Sequence, residues 1–378
     1  MRALAKKIKN TYINQMGFHT NRKILVIDSD DWGSIRMPSR NVYETLLVDG
    51  DCVDKNVFLK YDCLERKEDL CELYDVLSKF TDINGRHPCI TANFAVANPD
   101  FSKIDPIQNQ YAYESIEETY KRYYPENDIL KIIKEGKEKN LFFPQLHARE
   151  HMNVIRWMRD LKNGNPETQK ALKYHMIGIG ASFSKSNQFG YMDALNFDHQ
   201  AELNFLKDYI TDAVRMFKTI FGYSSETFVA SCYTWTDMVE KVLTHEGIQC
   251  MKTQCWQKRY LGKGTSLYFP KIHYTGEIGN HQMRFLIRNC EFEPSLNEHS
   301  EEHFNNCISM VEEAFINGKP AIINSHRVNY IGALDEENAE KSRNELQRLL
   351  NILMDKYPTI EFMSANELLH ILEWERPL

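Results

Sequence analysis

Lys23-Ile-Leu-Val-Ile-Asp-Ser-Asp-Asp-Trp-Gly33 joins a β-branched apolar run to three carboxylates within four positions, Asp28, Asp30 and Asp31. The apolar half predicts a buried strand. Like charges crowded at a strand end raise the free energy of the ionised state unless a cation or a proton offsets them. The cluster is therefore a candidate for chemistry. Read as structure alone, it is a polar turn closed by Gly33.

Outward from this stretch, short apolar runs alternate with helical periodicity. Strands are predicted at Ile24–Ile27, Cys89–Val96, Leu141–Leu146, Thr227–Ala230, Ile248–Thr253, Arg284–Arg288, Ala321–Asn324 and Ile360–Met363. Helices are predicted at Leu64–Phe80, Asp128–Lys139, Asn153–Leu161, His199–Phe221, Thr236–His245, Glu301–Ile316 and Glu336–Lys356, the last capped by Asp335. Strand–helix alternation at this length predicts a parallel β/α architecture, either a barrel or a doubly wound sheet. No Gly/Pro/Ser-rich linker and no internal repeat divides the chain, so one domain over 22–378 is expected after an N-terminal segment, 1–21. Val53–Tyr61 with 98–124, and 164–198, are expected insertions beside the site.

Two further polar clusters follow predicted strands. In Leu141-Phe-Phe-Pro-Gln-Leu-His-Ala-Arg-Glu-His151, His147 and His151 stand four apart, and a helical turn there would put both on one face. Two His and one Asp form a three-ligand set that leaves positions open on a cation. In Ala321-Ile-Ile-Asn-Ser-His-Arg-Val-Asn-Tyr330, His326 suits a general acid or base, and Arg327 suits an anionic group. Read structurally, these are strand-capping histidines. Three such clusters on three strands point to one mouth of a parallel barrel.

Composition narrows the partners. The net charge is −7 and the only basic cluster is Arg2, Lys6, Lys7 and Lys9, which argues against nucleic acid. That basic N-terminus could lie peripherally on an anionic membrane surface, but no apolar run is long enough to span one. No stretch of signal-peptide type opens the chain, and nine scattered cysteines lack a CxxC pair; reduced thiols and a cytoplasmic location are expected. Nothing in the sequence fixes the oligomeric state.

The order of the clusters resembles the polysaccharide deacetylase superfamily, of NodB type and of the YdjC type that acts on chito-oligosaccharides. The matching residues are Ser29-Asp-Asp-Trp-Gly33, Ile90-Thr-Ala-Asn-Phe94, His147 to His151, and Ser325-His326. Asp-Asp-Trp-Gly is closer to the YdjC-type Asp-Asp-Phe-Gly. The resemblance implies a distorted seven- or eight-stranded (β/α) barrel with large loops at its mouth. It implies a divalent ion, zinc first, on Asp31, His147 and His151, with Asp30 as base and His326 as acid. Asp28 is left a supporting role. Trp32, Arg149, Tyr233, Trp235, Arg327 and Asn329 are candidates for substrate contact. The implied activity is hydrolysis of an acetyl group from an N- or O-acetylated carbohydrate.

One departure stands out. The Arg-x-Pro-Tyr-Gly-like motif that orients the catalytic Asp in NodB-type enzymes is replaced by Phe228-Val-Ala-Ser-Cys-Tyr-Thr-Trp235, leaving Arg149, Arg327 or Arg36 as substitutes. Two other readings therefore stand beside the first. A glycoside hydrolase would need two carboxylates about 5–10 Å apart. A barrel that binds carbohydrate without turnover needs neither.

Overall fold

The computed structural model describes residues 16–179, 190–257, 262 and 271–374. Its frame is a nine-stranded sheet: β1 (Lys23–Trp32), β2 (Ile90–Ala95), β3 (Phe142–Ala148), β4 (Thr227–Val229), β5 (Cys250–Thr253), β6 (Arg284–Ile287), β7 (Cys290–Glu291), β8 (Ala321–His326) and β9 (Ile360–Met363). The strand path runs β6-β5-β4-β3-β2-β1-β8-β7, and all of its pairings are parallel.

The two ends of that path are neighbours in the chain. Only Arg288 and Asn289 separate β6, which pairs with β5, from β7, which pairs with β8. Across this seam the Arg288 amide donates to the Thr253 carbonyl (2.9 Å). The Asn289 side chain accepts from the Ile322 amide (2.8 Å) and donates to the Pro320 carbonyl (3.0 Å), replacing two ladder bonds. The sheet thus curls into the expected α/β barrel. The eighth predicted strand, β9, is a wedge instead of a stave: it pairs with Lys23–Val26 of β1. Above it, β2 pairs with β1 from Ile27 to Trp32.

Alternation along β1 sorts its residues by face. Leu25 and Ile27 pack outward into the main core with Leu73, Leu77, Leu346 and Leu350 of the surrounding helices. Ile24 and Val26 face inward, where Cys250, Leu286 and Ile322 join them. Leu368, Leu369 and Leu372 of the helix Ala365–Trp374 close that inner core together with Phe18. The barrel interior is therefore apolar at the N-terminal ends of its strands and charged above, beginning at Asp28.

The seven predicted helices are present, with ends displaced by a few residues, and the Asp335 carboxylate accepts from the Asn338 amide as an N-cap. Helices at Arg40–Val48, Val57–Tyr61, Ile116–Tyr123, Pro166–Lys173 and Ala365–Trp374, none longer than 10 residues, lie outside the predicted set. Within 98–124 lie a small hairpin and the helix Ile116–Tyr123. Part of 164–198, and most of the N-terminal segment, fall outside the described residues. No described helix is long and apolar enough to cross a membrane.

Candidate metal centre

Adjacent residues of a strand point to opposite faces, so Asp30 and Asp31 should not both reach one site. They do because β1 breaks its register between Ser29 and Trp32, and Asp31 takes a positive φ of 76°. That left-handed backbone costs about 1 kcal/mol or more for a non-glycine residue. Gly33 completes the turn at φ +78°, where a Cβ would stand 2.5 Å from the Ala95 carbonyl oxygen.

Asp31, His147 and His151 are buried, with ligand atoms all within 4.8 Å of one another. The Asp31 Oδ1 lies 3.6 Å from His147 Nε2 and 3.4 Å from His151 Nε2. His147 and His151 are not on a helix: His147 is the penultimate residue of β3 and His151 sits in the following loop, with ring centroids 4.7 Å apart.

The donor set fits a cation. Asp31 Oδ1 is buried without a hydrogen-bond partner, an expensive state unless it serves another ligand. Its Oδ2 accepts from Arg36 Nη2 (2.9 Å), which leaves one oxygen free. His147 Nδ1 bonds the Val229 carbonyl oxygen (2.8 Å), so this nitrogen carries the proton and Nε2 presents a lone pair. Burial, only partly offset by Asp31, lowers the His151 pKa to about 3 and holds the ring neutral. Burial works against the charge on Asp31, but Arg36 and the two imidazoles hold its pKa well below the ordinary carboxylate value. Oxygen and imidazole ligands in this ratio suit zinc and similar divalent ions.

Asp30 occupies a different setting. Arg288 donates Nη1 to its Oδ2 (2.7 Å) and Nη2 to its Oδ1 (3.1 Å), and Asn93 donates to Oδ1 (2.8 Å). Burial pushes its pKa up, but Arg288, His147 and His326 bring it down to about 2, so it stays ionised. Asp28 lies beneath it, accepting from Lys252 Nζ (2.7 Å) and Asn93 (2.8 Å), with Arg288 Nε 3.1 Å away. Two cations thus answer two carboxylates inside the barrel.

His326 ends β8, and its Nδ1 is 2.6 Å from Glu293 Oε1. Burial lowers its pKa, but Glu293, Asp31 and Asp30 outweigh this and raise it to about 10, so the ring is an imidazolium at neutral pH.

The arginine on Asp30 is none of the three substitutes suggested by the sequence. Arg36 grips Asp31, Arg149 pairs with Glu150 and Asp212, and Arg327 pairs with Asp62 and Glu65. Arg288 supplies it from the barrel seam. Its Nη1 also reaches the Tyr233 hydroxyl (3.0 Å), which in turn donates to Asn324 (3.1 Å). Tyr233 is half-buried beside the site, set by a turn in which Cys232 and Tyr233 have φ of 55° and 54°.

Five proposed substrate contacts sit inside the protein. Trp32 is fully buried, its indole N–H donating to Ser29 Oγ (3.0 Å) and its ring edge-on to Phe142. Trp235 is fully buried against His273 and donates to Glu240 (2.9 Å). Arg149 lies between the Tyr113 and Tyr209 rings. Arg327 bonds Asp62, whose pKa burial raises to about 6 despite Arg327 and Arg36. Asn329 donates to Glu293 (2.8 Å), so it supports the partner of His326. In each case the polar atoms are engaged by the protein, away from a surface a ligand could touch.

Arg288, Lys252, Asn93 and Glu293 were not singled out from the sequence. Three of them carry a signal of the kind that exposed the aspartates: Lys252 is a charge within an apolar run, Arg288 ends one and Glu293 lies just beyond one, whereas the uncharged Asn93 carries no such signal.

No protein-family model matches the chain, and no curated protein matches it. Among solved structures the chain is similar, at low scores, to several proteins. A polysaccharide deacetylase, described as putative, from Mycobacterium smegmatis is 9% identical, with a TM-score of 0.47 and 96% of each chain covered. An α-amylase, AmyC, from Thermotoga maritima is 9% identical, with a TM-score of 0.45, over 92% of this chain and 74% of that one. A CE4 family pseudoenzyme from Bacillus anthracis is 11% identical, with a TM-score of 0.39, over 93% and 66%. All of these TM-scores lie below 0.5, so function has to be argued from the side chains.

Proposed function

We propose that the chain is a metal-dependent hydrolase that removes an acetyl group from an N- or O-acetylated sugar or polysaccharide intermediate. The observation that carries this reading is the division of labour between two consecutive carboxylates. Asp31 leaves one oxygen free beside two imidazoles, while Asp30 is held by Arg288 and Asn93. Asp31, His147 and His151 would hold the ion. When bound, a divalent ion there supplies Lewis acidity to the acetyl carbonyl and makes water a better nucleophile at neutral pH.

The residues provide the proton path. Asp30, ionised and oriented, accepts the proton of the water that attacks the acetyl carbon. His326, kept protonated by Glu293, gives its Nε2 proton to the departing sugar nitrogen or oxygen as the C–N or C–O bond breaks. Transfer of the Asp30 proton to solvent and reprotonation of His326 restore the starting state. Tyr233, which borders Arg288 and donates to Asn324, is the substrate-positioning candidate that remains.

Two observations favour this reading over the alternatives. The barrel without turnover rests on the missing arginine motif, and Arg288 bonds Asp30 in this structure. A glycoside hydrolase needs a second carboxylate across the site, whereas Glu293 is committed to His326 and Asn329. The test is metal analysis of the purified protein together with acetate release from acetylated sugars. About one divalent ion per chain, and acetate lost on chelation, are expected; acetate release that survives complete metal removal would overturn the proposal.

A further inference from the structure

A pocket of about 490 Å³ opens between the loop that leaves β1 and the loop that leaves β8, apart from the metal centre. Arg40, Arg66 and Arg122 line it together with Tyr123, Tyr124 and Leu334. No carboxylate is among its lining residues. The chain around Arg66 explains the separation. Asp62 and Glu65 turn toward Arg327 on the barrel side, while Cys63 and Arg66 turn to the pocket.

Each arginine is anchored from behind. Arg66 bonds Asp69 and Glu336, Arg122 bonds Glu114, and Arg40 bonds Glu44 and the Leu334 carbonyl. The anchoring orients the guanidinium groups without exhausting them. Among the described residues Arg66 Nη1, Arg40 Nη2, and Arg122 Nε and Nη1 have no protein acceptor. Three guanidinium groups with free N–H donors around one pocket match the hydrogen bonding and charge of a phosphate group, and the two tyrosines offer rings for an attached sugar or base.

We infer that this pocket binds the phosphate group of a sugar phosphate or a nucleotide. The inference does not depend on the deacetylase reading, because binding is measured without turnover and without metal chemistry. Isothermal titration at low ionic strength with inorganic phosphate, glucose 1-phosphate and UDP, with glucose as the neutral control, tests it. The wild-type protein should bind phosphate-bearing ligands in preference to glucose. The Arg40→Gln/Arg122→Gln double variant should bind about tenfold or more weakly, as loss of charge-assisted hydrogen bonds predicts. Both residues are exposed, Arg40 pairing with the exposed Glu44 and Arg122 with the half-buried Glu114, and circular dichroism checks that the variant keeps its fold. Arg66→Gln is the harsher change, since Arg66 also caps the helix Lys67–Ser78. Tighter binding of UDP identifies a nucleotide and tighter binding of glucose 1-phosphate a sugar phosphate. Absence of binding by all three phosphate probes, or equal binding by the double variant, would overturn the inference.

Discussion

At the scale of single residues, the site turns on one backbone torsion. A regular strand would send Asp30 and Asp31 to opposite faces; the φ of 76° at Asp31 sends both to the mouth. Their roles then separate by partner. Asp31→Asn is expected to lose the bound ion and with it activity, read by metal analysis. Asp30→Asn should keep the ion while kcat falls by about 10²–10⁴, the range for loss of a general base. Equal loss of metal in both variants would show that the two carboxylates share one role. Gly33 guards the same turn. Gly33→Ala forces a Cβ against the Ala95 carbonyl at a positive φ and should cost about 1–3 kcal/mol in denaturant melts, with activity following the strain.

At the scale of elements, the seam between β6 and β7 does two things. Asn289 imitates a strand's backbone to β8, and Arg288 leaves the ladder to hold Asp30. Arg288→Lys keeps the charge and loses the fork, so kcat should drop about tenfold or more with metal content unchanged. The loop after β7 brings Glu293 to His326, and the pH profile should report it. The folded pKa of His326, about 10, lies above its ordinary 6.5. The pair therefore contributes stability fully below pH 6.5, and that contribution disappears as pH rises through about 10. Removing the carboxylate in Glu293→Gln lowers the His326 pKa, so the alkaline limb of kcat/KM should move to lower pH. An unmoved limb would mean that another group is the acid.

At the scale of the whole molecule, the barrel is a polarised container. Its lower interior is filled by Ile24, Val26, Leu286 and Ile322 and capped by the helix Ala365–Trp374, and its upper interior is ionic. Leu369 is fully buried in that lower plug, and Leu369→Ala should cost about 2–5 kcal/mol in a thermal or denaturant melt, without changing the metal ligands. The charged upper half depends on the plug for its low dielectric surroundings.

Eight strands, seven helices and the three polar clusters were legible in the sequence because burial imposes periods of two and of 3.6 on apolar residues. The clusters that hold Asp31, His147 and His151 were legible for a related reason: charged or titratable groups at the ends of apolar runs are conspicuous; the choice of Asp31 among the three aspartates came from the family resemblance. Only the tertiary structure decided which arginine meets which aspartate. Arg288 and Asp30 lie far apart in sequence, and no local periodicity records a pairing made across the barrel. It also demoted Trp32, Trp235 and Arg327 from surface to interior, since an aromatic ring or an arginine reads the same in sequence whether it packs inward or faces a ligand. The order of strands and the chemistry at their ends belong to the sequence; closure of the barrel at Arg288–Asn289, and the charge pairs that closure brings within hydrogen-bond reach, belong to the fold.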